Sequence, residues 1–585
     1  MADAIDTPLL MVAIDFGTTF SGFAFQFRHD YTKEDPTHVS SPQVWNDGHV
    51  DVSSLKTPTC LLLKKDGSID SFGFEAERKF AELCIDGDQG DYLFFRRFKM
   101  KLNNKALSSS TTITDEQGKP YCAIEVISKS IECLKMKFLD EMNRKNSRVD
   151  LEDVLFVLTV PAIWSENAKH FMRQAAVMAG LANKNVTISL EPESASLLCQ
   201  YLPIDKFSVG SNKQSLGSPG TVYMIVDLGG GTADITVHEK QRNGKLKEVH
   251  PACGGPWGGT AVDSFFIQLL SSVVTPLGMS ELMYKHCGDY LEFMRTFEVM
   301  KRVIDTTSER VINIKVPPSF DEVAKKYVDK TFKEAVASSP HCSQLKVLGD
   351  KLKINADLAR SLFQKVLDKI TPTIDKCIST VKSNEMIKDI SIILLVGGFS
   401  DSSYVQQYMK NRYETENDIT VLVPEEAGLS VLRGAIIYGR QPDSITSRIL
   451  RYSYGAEVTP KFDPAIHDES RKTRDGERCL HVFRPFKMKD VEVSENEPVR
   501  RLYHTTRAEQ KTIVLKIFCT EHDDVKYTDD DNCNFVGTLS VSLNEPTMDL
   551  QNIDVQYLFG GTEIKVVSTE VNTNKVCETV LKMLE

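Results

Sequence analysis

No stretch of the sequence reaches the ~18 consecutive apolar residues that crossing a bilayer takes, so no membrane span is expected. The apolar opening Leu9–Ile14 is short, follows acidic residues and runs straight into Asp15, which does not fit a secretory signal. Positive charge is in deficit: the formal net charge is −11, and a phosphate backbone rewards a basic face, so no nucleic-acid partner is expected. The 13 cysteines are odd in number and contain no CxxC pair, which argues against a zinc ribbon or a thioredoxin-type centre. Free, mostly buried thiols in a reducing compartment are the plain reading, with a redox-sensitive cysteine as the alternative. The motifs GxxxxGK[ST], HExxH and GxSxG are missing, which argues against P-loop NTPases, zincins and α/β-hydrolases. These features together predict a soluble, cytoplasmic, intracellular chain.

The proportions that are present, 41% hydrophobic and 26% charged, suit several buried cores in a chain of 585 residues. Continuous apolar runs at Leu9–Ile14, Val154–Val160, Val222–Val226 and Ser391–Val396 read as strands covered on both faces. Ser165–Leu181 reads as an amphipathic helix, with Ala168, Phe171, Met172, Ala175 and Ala179 on one face and Ser165 as N-cap. This alternation is α/β grammar. Ser208–Gly220 reads as a loop. From about Ile445 the pattern changes to short alternating strands: Thr512–Cys519, Gly537–Leu543, Ile553–Phe559 and Glu563–Ser568. The acidic run Asp529–Asp531 lacks calcium-loop spacing and reads as a solvated turn.

Two segments resemble each other. Ile14-Asp15-Phe16-Gly17-Thr18-Thr19 and Val226-Asp227-Leu228-Gly229-Gly230-Gly231-Thr232 each end a buried strand on Asp, then turn through Gly and Thr. Each is followed by a second apolar strand, Phe20–Phe27 and Ala233–Glu239, so each predicts a hairpin. Glycines let backbone N–H groups approach phosphate oxygens, and Thr hydroxyls add donors. An Asp repels phosphate unless a hydrated Mg²⁺ lies between them. Two such turns face to face would grip one triphosphate, whereas either alone is equally well a tight structural hairpin. Three segments extend the candidate site: Gly397-Gly398-Phe399-Ser400, the bend Gly254–Gly259, and Glu298, Lys301 and Arg302 on a predicted helix Phe297–Ile304. By itself that charge cluster is also compatible with a solvated face.

The segments DFGTTF, VPAIW, LEPESAS, VDLGGGTADI, EVMKR and VGGFSD occur here in the order that 70-kDa heat-shock proteins use them. Over roughly residues 9–442 the chain resembles that family, in the actin-like ATPase superfamily, and looks closest to its divergent heat shock 70 kDa protein 12 branch, including Phe98–Leu102. The resemblance implies an α/β fold: a two-lobed, actin-like (ribonuclease H-like duplicated) nucleotide-binding domain over 1–442, with lobes near 9–205 and 220–442. A β-rich substrate-binding-like domain without a helical lid follows over 443–585. It implies ATP or ADP with Mg²⁺ as ligands, protein or peptide clients and co-chaperones as partners, and slow hydrolysis of ATP to ADP and phosphate.

Carried over residue by residue, Asp15 and Asp227 hold Mg²⁺ through water. Gly17, Thr18, Thr19, Gly229, Gly230, Gly231 and Thr232 cradle phosphate, and Glu191 orients the attacking water. Gly258, Gly259, Glu298, Lys301, Arg302, Gly397 and Gly398 contact adenosine, and Pro161 relays the nucleotide state. The family's catalytic Lys falls near Phe95–Lys99, where Arg96 or Arg97 stands in its place, so hydrolysis is less expected than binding. Asp401 replaces an adenine-stacking Arg, and Asp305 replaces a Ser. Arg440–Arg448 is polar where the family has a leucine-rich linker. These departures favour a second reading, a non-hydrolysing adaptor. A small-molecule kinase is a third, opposed by the motif order and the β tail.

Overall fold

The computed structural model describes residues 8–32, 34–41, 45–46, 53–103, 107–208, 216–307, 309, 311–494, 497–505, 507–543 and 547–582. It is a mixed α/β structure with several sheets. Residues 209–215 of the expected loop lie outside the described residues.

The four apolar runs form strands. Leu10–Phe16 and Val154–Val160 pair in parallel, and Leu10–Phe16 pairs antiparallel with Phe20–Phe27 in a five-stranded sheet. Val222–Leu228 repeats this arrangement, parallel to Ile392–Val396 and antiparallel to Ala233–Lys240, inside an eight-stranded sheet. Both hairpins predicted from the paired Asp–Gly–Thr segments are therefore present, at the same place in two alike sheets. Their central strands are buried along their whole length, which is why they read as unbroken apolar runs rather than alternating ones.

Two helices, Glu191–Cys199 and Ser430–Arg440, fill the space between the sheets. Their apolar side chains share one core with Met11, Ala13 and Val157 of one sheet and Tyr223, Ile225 and Leu394 of the other. The helices approach closely because position 434 is glycine: a Cβ there would overlap the Ser194 carbonyl. Ser165 caps helix Glu166–Met178, accepting from the Ala168 N–H at 3.3 Å.

The chain beyond residue 450 supplies a further eight-stranded antiparallel sheet, including Thr512–Thr520, Asn534–Ser542, Asn552–Leu558 and Lys565–Glu570. Its core holds Ile513, Leu539, Val541, Ile553, Val555 and Tyr557. The stretch Arg440–Arg448, read as polar connecting chain, is partly a strand. Ile445–Ile449 pairs in parallel with Leu246–Gly255, and Glu492–Ser494 pairs with it in turn. Ile445 is buried, and so are Ser447 and Arg448 of the same strand. Asp529–Asp531 lies in a turn, where Asp529 pairs with Arg471.

Two expectations need correction. Helix Cys287–Lys301 ends at Lys301, short of the expected Ile304, and Arg302 is its C-cap. Helix Gly259–Tyr284 is long and apolar enough to cross a membrane by length and composition, which the search for unbroken apolar runs missed. Half of that apolar stretch is buried inside the protein, and the backbone leaves the helical region at Thr275 (φ 68°), before Pro276.

The crossing at Gly434 gives a direct test. Gly434→Ala should lower stability by about 1–3 kcal/mol, the usual cost of overpacking, read as a lower urea midpoint. An unchanged midpoint would mean that the two helices separate freely.

Candidate functional site

The two hairpin turns meet. A Cβ on Gly230 would overlap Thr19 Oγ1, and one on Gly231 would come to 2.6 Å from Thr18 Oγ1. The turns border a cleft of about 800 Å³ lined by both of them. Asp15, Gly17, Thr18, Thr19, Glu191 and Asp227 line it, as do Gly229, Gly230, Gly231 and Thr232. Gly259, Glu298, Lys301, Arg302, Gly397 and Gly398 line its remainder. Gly258 adjoins it, its N–H donating to the Gly231 carbonyl at 3.1 Å. Segments far apart in sequence are thus gathered around one opening.

Each strand-end Asp has a different setting. Asp15 Oδ1 accepts from the Thr159 hydroxyl at 2.8 Å, and Asp15 Oδ2 lies 2.6 Å from Lys56 Nζ. Burial raises the Asp15 carboxyl, but the Lys56 charge and hydrogen bond, with Lys99 and Thr159, outweigh it and hold the group below its ordinary range. The Asp227 carboxylate receives no hydrogen bond among the described residues, and burial beside Glu191, Asp234 and Asp15 pushes it well above the carboxylate range. Gly397 presses on it: with φ +86°, a Cβ there would collide with Asp227 Oδ1. Asp234, the pairing partner of Asp227, accepts from the Ile163 N–H at 3.0 Å, while its other oxygen is buried without a partner.

Behind the turns lies a buried ion pair, Lys99 Nζ to Glu191 Oε1 at 2.7 Å. The ammonium also sits 5.2 Å from the Trp164 ring centroid. Burial and the neighbouring Asp15 and Asp234 raise the Glu191 carboxyl to about 7 against the pull of Lys99. A carboxyl near neutrality, beside an ammonium and facing a cleft, can accept a proton from water.

Arg96, expected in the site, is not among the residues lining the cleft. It is half-buried at the end of strand Tyr92–Arg96, and Glu116, Cys60 and Glu77 lie near its guanidinium. Arg97 then takes a left-handed conformation (φ 52°), and the 3₁₀ turn Phe98–Leu102 swings Lys99 into the cleft. Lys99, three residues on, is the basic side chain of this segment that lines the cleft. Arg97 reaches elsewhere: its Nη2 lies 2.7 Å from Asp263 and 3.8 Å from Glu298.

The adenosine-side residues form a charged network. Lys301 Nζ lies 2.6 Å from both Asp263 and Glu298, and donates to the Gly259 carbonyl at 3.2 Å. Arg302 lies 5.6 Å from the Phe20 ring centroid, linking this helix end to the first hairpin. Asp401 lines the cleft, and its carboxyl is raised by burial despite Lys56 and Arg302 nearby.

Sequence reasoning missed three residues. Lys56 joins Asp15 to the Gly428 carbonyl, both within hydrogen-bond reach. Asp263 holds Arg97 and Lys301 together. Arg448 is buried and pairs in two places with Glu193, at 2.7 and 2.8 Å, while also donating to the Gly560 carbonyl. No local motif marks any of them, because each partner is distant in sequence.

The donor set fits a hydrated hard divalent cation. Asp15, Asp227, Glu191 and Asp234 converge, with Lys56 and Lys99 to balance them among the described residues, and burial beside the other carboxylates raises Asp227. Carboxylates and backbone N–H groups at small-residue turns suit Mg²⁺ and a phosphate chain rather than a soft metal.

No protein-family model matches the chain. It is 30% identical to human heat shock 70 kDa protein 12B and 31% identical to human heat shock 70 kDa protein 12A, over 97% of this chain and 90% of each relative. Chaperone protein DnaK of Elusimicrobium minutum is 27% identical over 52% of this chain and 42% of its own length.

Glu191 supplies a pH test. Its folded-state value of about 7 lies above that of an unfolded glutamate, so folding takes up a proton. The stability linked to this group is greatest below the unfolded value and falls as pH rises toward the folded one. Lys99→Met removes the charge that limits the shift. The variant should lose about 3–5 kcal/mol near neutral pH and less in acid, read from urea midpoints between pH 5 and 8. A loss independent of pH would remove Lys99 as Glu191's counter-charge.

Proposed function

We propose, since the chain belongs to the 70-kDa heat-shock protein family and to its heat shock 70 kDa protein 12 branch, that it binds ATP or ADP in the cleft and uses nucleotide state to govern binding of protein or peptide clients. The observation that carries this reading is the contact between the two Asp–Gly–Thr hairpin turns, with the Lys99–Glu191 pair behind them. Backbone N–H groups of both turns and the hydroxyls of Thr18, Thr19 and Thr232 bind phosphate. Asp15 and Asp227 would hold Mg²⁺ through water, and when bound it would neutralise phosphate charge. Glu191 orients and deprotonates the attacking water, and Lys99 fixes Glu191 and stabilises negative charge at the transferred phosphoryl. Slow hydrolysis follows from Lys99, not from Arg96.

In this reading the two alike sheets are lobes of one nucleotide-binding domain over 1–442, and the antiparallel sheet is a lidless client-binding domain over 443–585. Coupling runs through Arg448. It grips Glu193, two residues after Glu191, and the Gly560 carbonyl of the antiparallel-sheet region. Thr562 donates to the Ile188 carbonyl at 2.8 Å, and Arg173 pairs with Glu563. Arg451 donates to the Ile163 carbonyl, two residues after Pro161. An extended peptide would add to a sheet edge, with co-chaperones acting on the cleft. Such a protein would work in the cytoplasm without spanning a membrane.

Lys56 favours the adaptor as a second reading. An ammonium already on Asp15 partly fills the role of a metal, and a protein that binds nucleotide without turnover needs no more than that.

Calorimetry and phosphate release separate the two. Wild type should release phosphate with Mg²⁺, Lys99→Ala should lower the rate by about 10²-fold, and Asp227→Ala should weaken nucleotide binding only when Mg²⁺ is present. Tight binding with no release above the Asp227→Ala control would leave the adaptor; an empty cleft would end both readings. Arg448→Ala should leave nucleotide affinity in place yet abolish the reciprocal effect of peptide and nucleotide on each other's affinity. Coupling that survives in Arg448→Ala would rule out this route.

A further inference from the structure

A second cluster of ligand-bearing side chains lies away from the cleft. His250 and Cys253 are on strand Leu246–Gly255, and Cys377 is on helix Ala356–Lys382, which packs against it. A ring nitrogen of His250 and the two sulfurs all lie within 4.8 Å of one another. Cys377 is buried and the other two are half-buried, so the cluster has a closed floor and an accessible side.

The histidine is set for ligation. Its Nδ1 lies 2.8 Å from the Pro251 carbonyl, and donating there leaves the other ring nitrogen with the free lone pair. Two cysteine sulfurs and one imidazole form a borderline-soft set with a fourth position open, unlike the oxygen-rich cleft.

We propose that His250, Cys253 and Cys377 form a Zn²⁺-type binding site, with water in the fourth position. Two metal–sulfur bonds and one metal–nitrogen bond form, the thiol protons pass to solvent, and no electron moves. The bound ion pins strand Leu246–Gly255 to helix Ala356–Lys382. That strand continues through Gly254 and Gly255 into the bend at Gly258, whose N–H meets the second hairpin turn. The ion therefore braces one wall of the cleft. The site stands on its own residues and not on the nucleotide reading.

The test is titration of the full-length, reduced chain with Co²⁺ under anaerobic conditions, followed by displacement with Zn²⁺. Wild type should take up one more equivalent than Cys253→Ser, show the visible absorption of tetrahedral, sulfur-ligated Co²⁺, and lose it to Zn²⁺. His250→Ala should weaken uptake by about 10-fold or more, and Zn²⁺ should raise the melting temperature of wild type only. Both substitutions fall at half-buried positions, and matching melting temperatures in chelator verify that the variants fold. Equal uptake and equal spectra in wild type and Cys253→Ser would overturn the site.

Discussion

Negative charge concentrated at the bottom of a cleft is the constraint on which the rest of this structure depends. Asp15, Glu191, Asp227 and Asp234 are all buried. Buried carboxylates are tolerated only with counter-charges and hydrogen bonds, and removing one partner leaves the other exposed to its full desolvation cost. Lys99 balances Glu191, Lys56 balances Asp15, and an Ile163 N–H supports Asp234. Asp227 has the least support, and it is the group burial raises most clearly. The imbalance is the physical reason the cleft suits a cation and its phosphate ligands.

The surrounding architecture keeps these charges close. The two hairpins sit in sheets of like topology, and glycines in the second turn leave room for the Thr18 and Thr19 side chains of the first. The helices carrying Glu191 and Gly434 cross tightly enough to fix both sheets to one shared core. Gly397 has a double requirement, a left-handed φ and no side chain against Asp227. Charged contacts bridge the cleft at its far side, where Arg97 meets Asp263 and Arg302 lies over Phe20. Any separation of the two hairpin-bearing sheets would break or remake these contacts, which would give a ligand in the cleft something to act on.

Glu191 and Glu193 lie on one short helix and serve different ends. Glu191 faces the cleft with Lys99, and Glu193 faces the connecting strand with Arg448. A buried two-point Arg–carboxylate contact is directional and costly to break. Arg448 thereby joins this helix directly to the Gly560 carbonyl beside the antiparallel sheet.

Strands, hairpins and turn glycines were legible in the sequence because they are local: apolar runs such as Val154–Val160 and the two Asp–Gly–Thr turns carry their own periodicity and turn chemistry. The sequence also determined which residue types were available for phosphate and cation. It did not distinguish Arg96 from Lys99, because the choice rests on a left-handed residue, Arg97, that ends a strand and redirects the chain. Nor did it reveal Lys56, Asp263 or Arg448, or the cluster of His250, Cys253 and Cys377. Only the tertiary structure decided these, since a pairing energy depends on distance and burial, and neither is written in the spacing of residues along the chain.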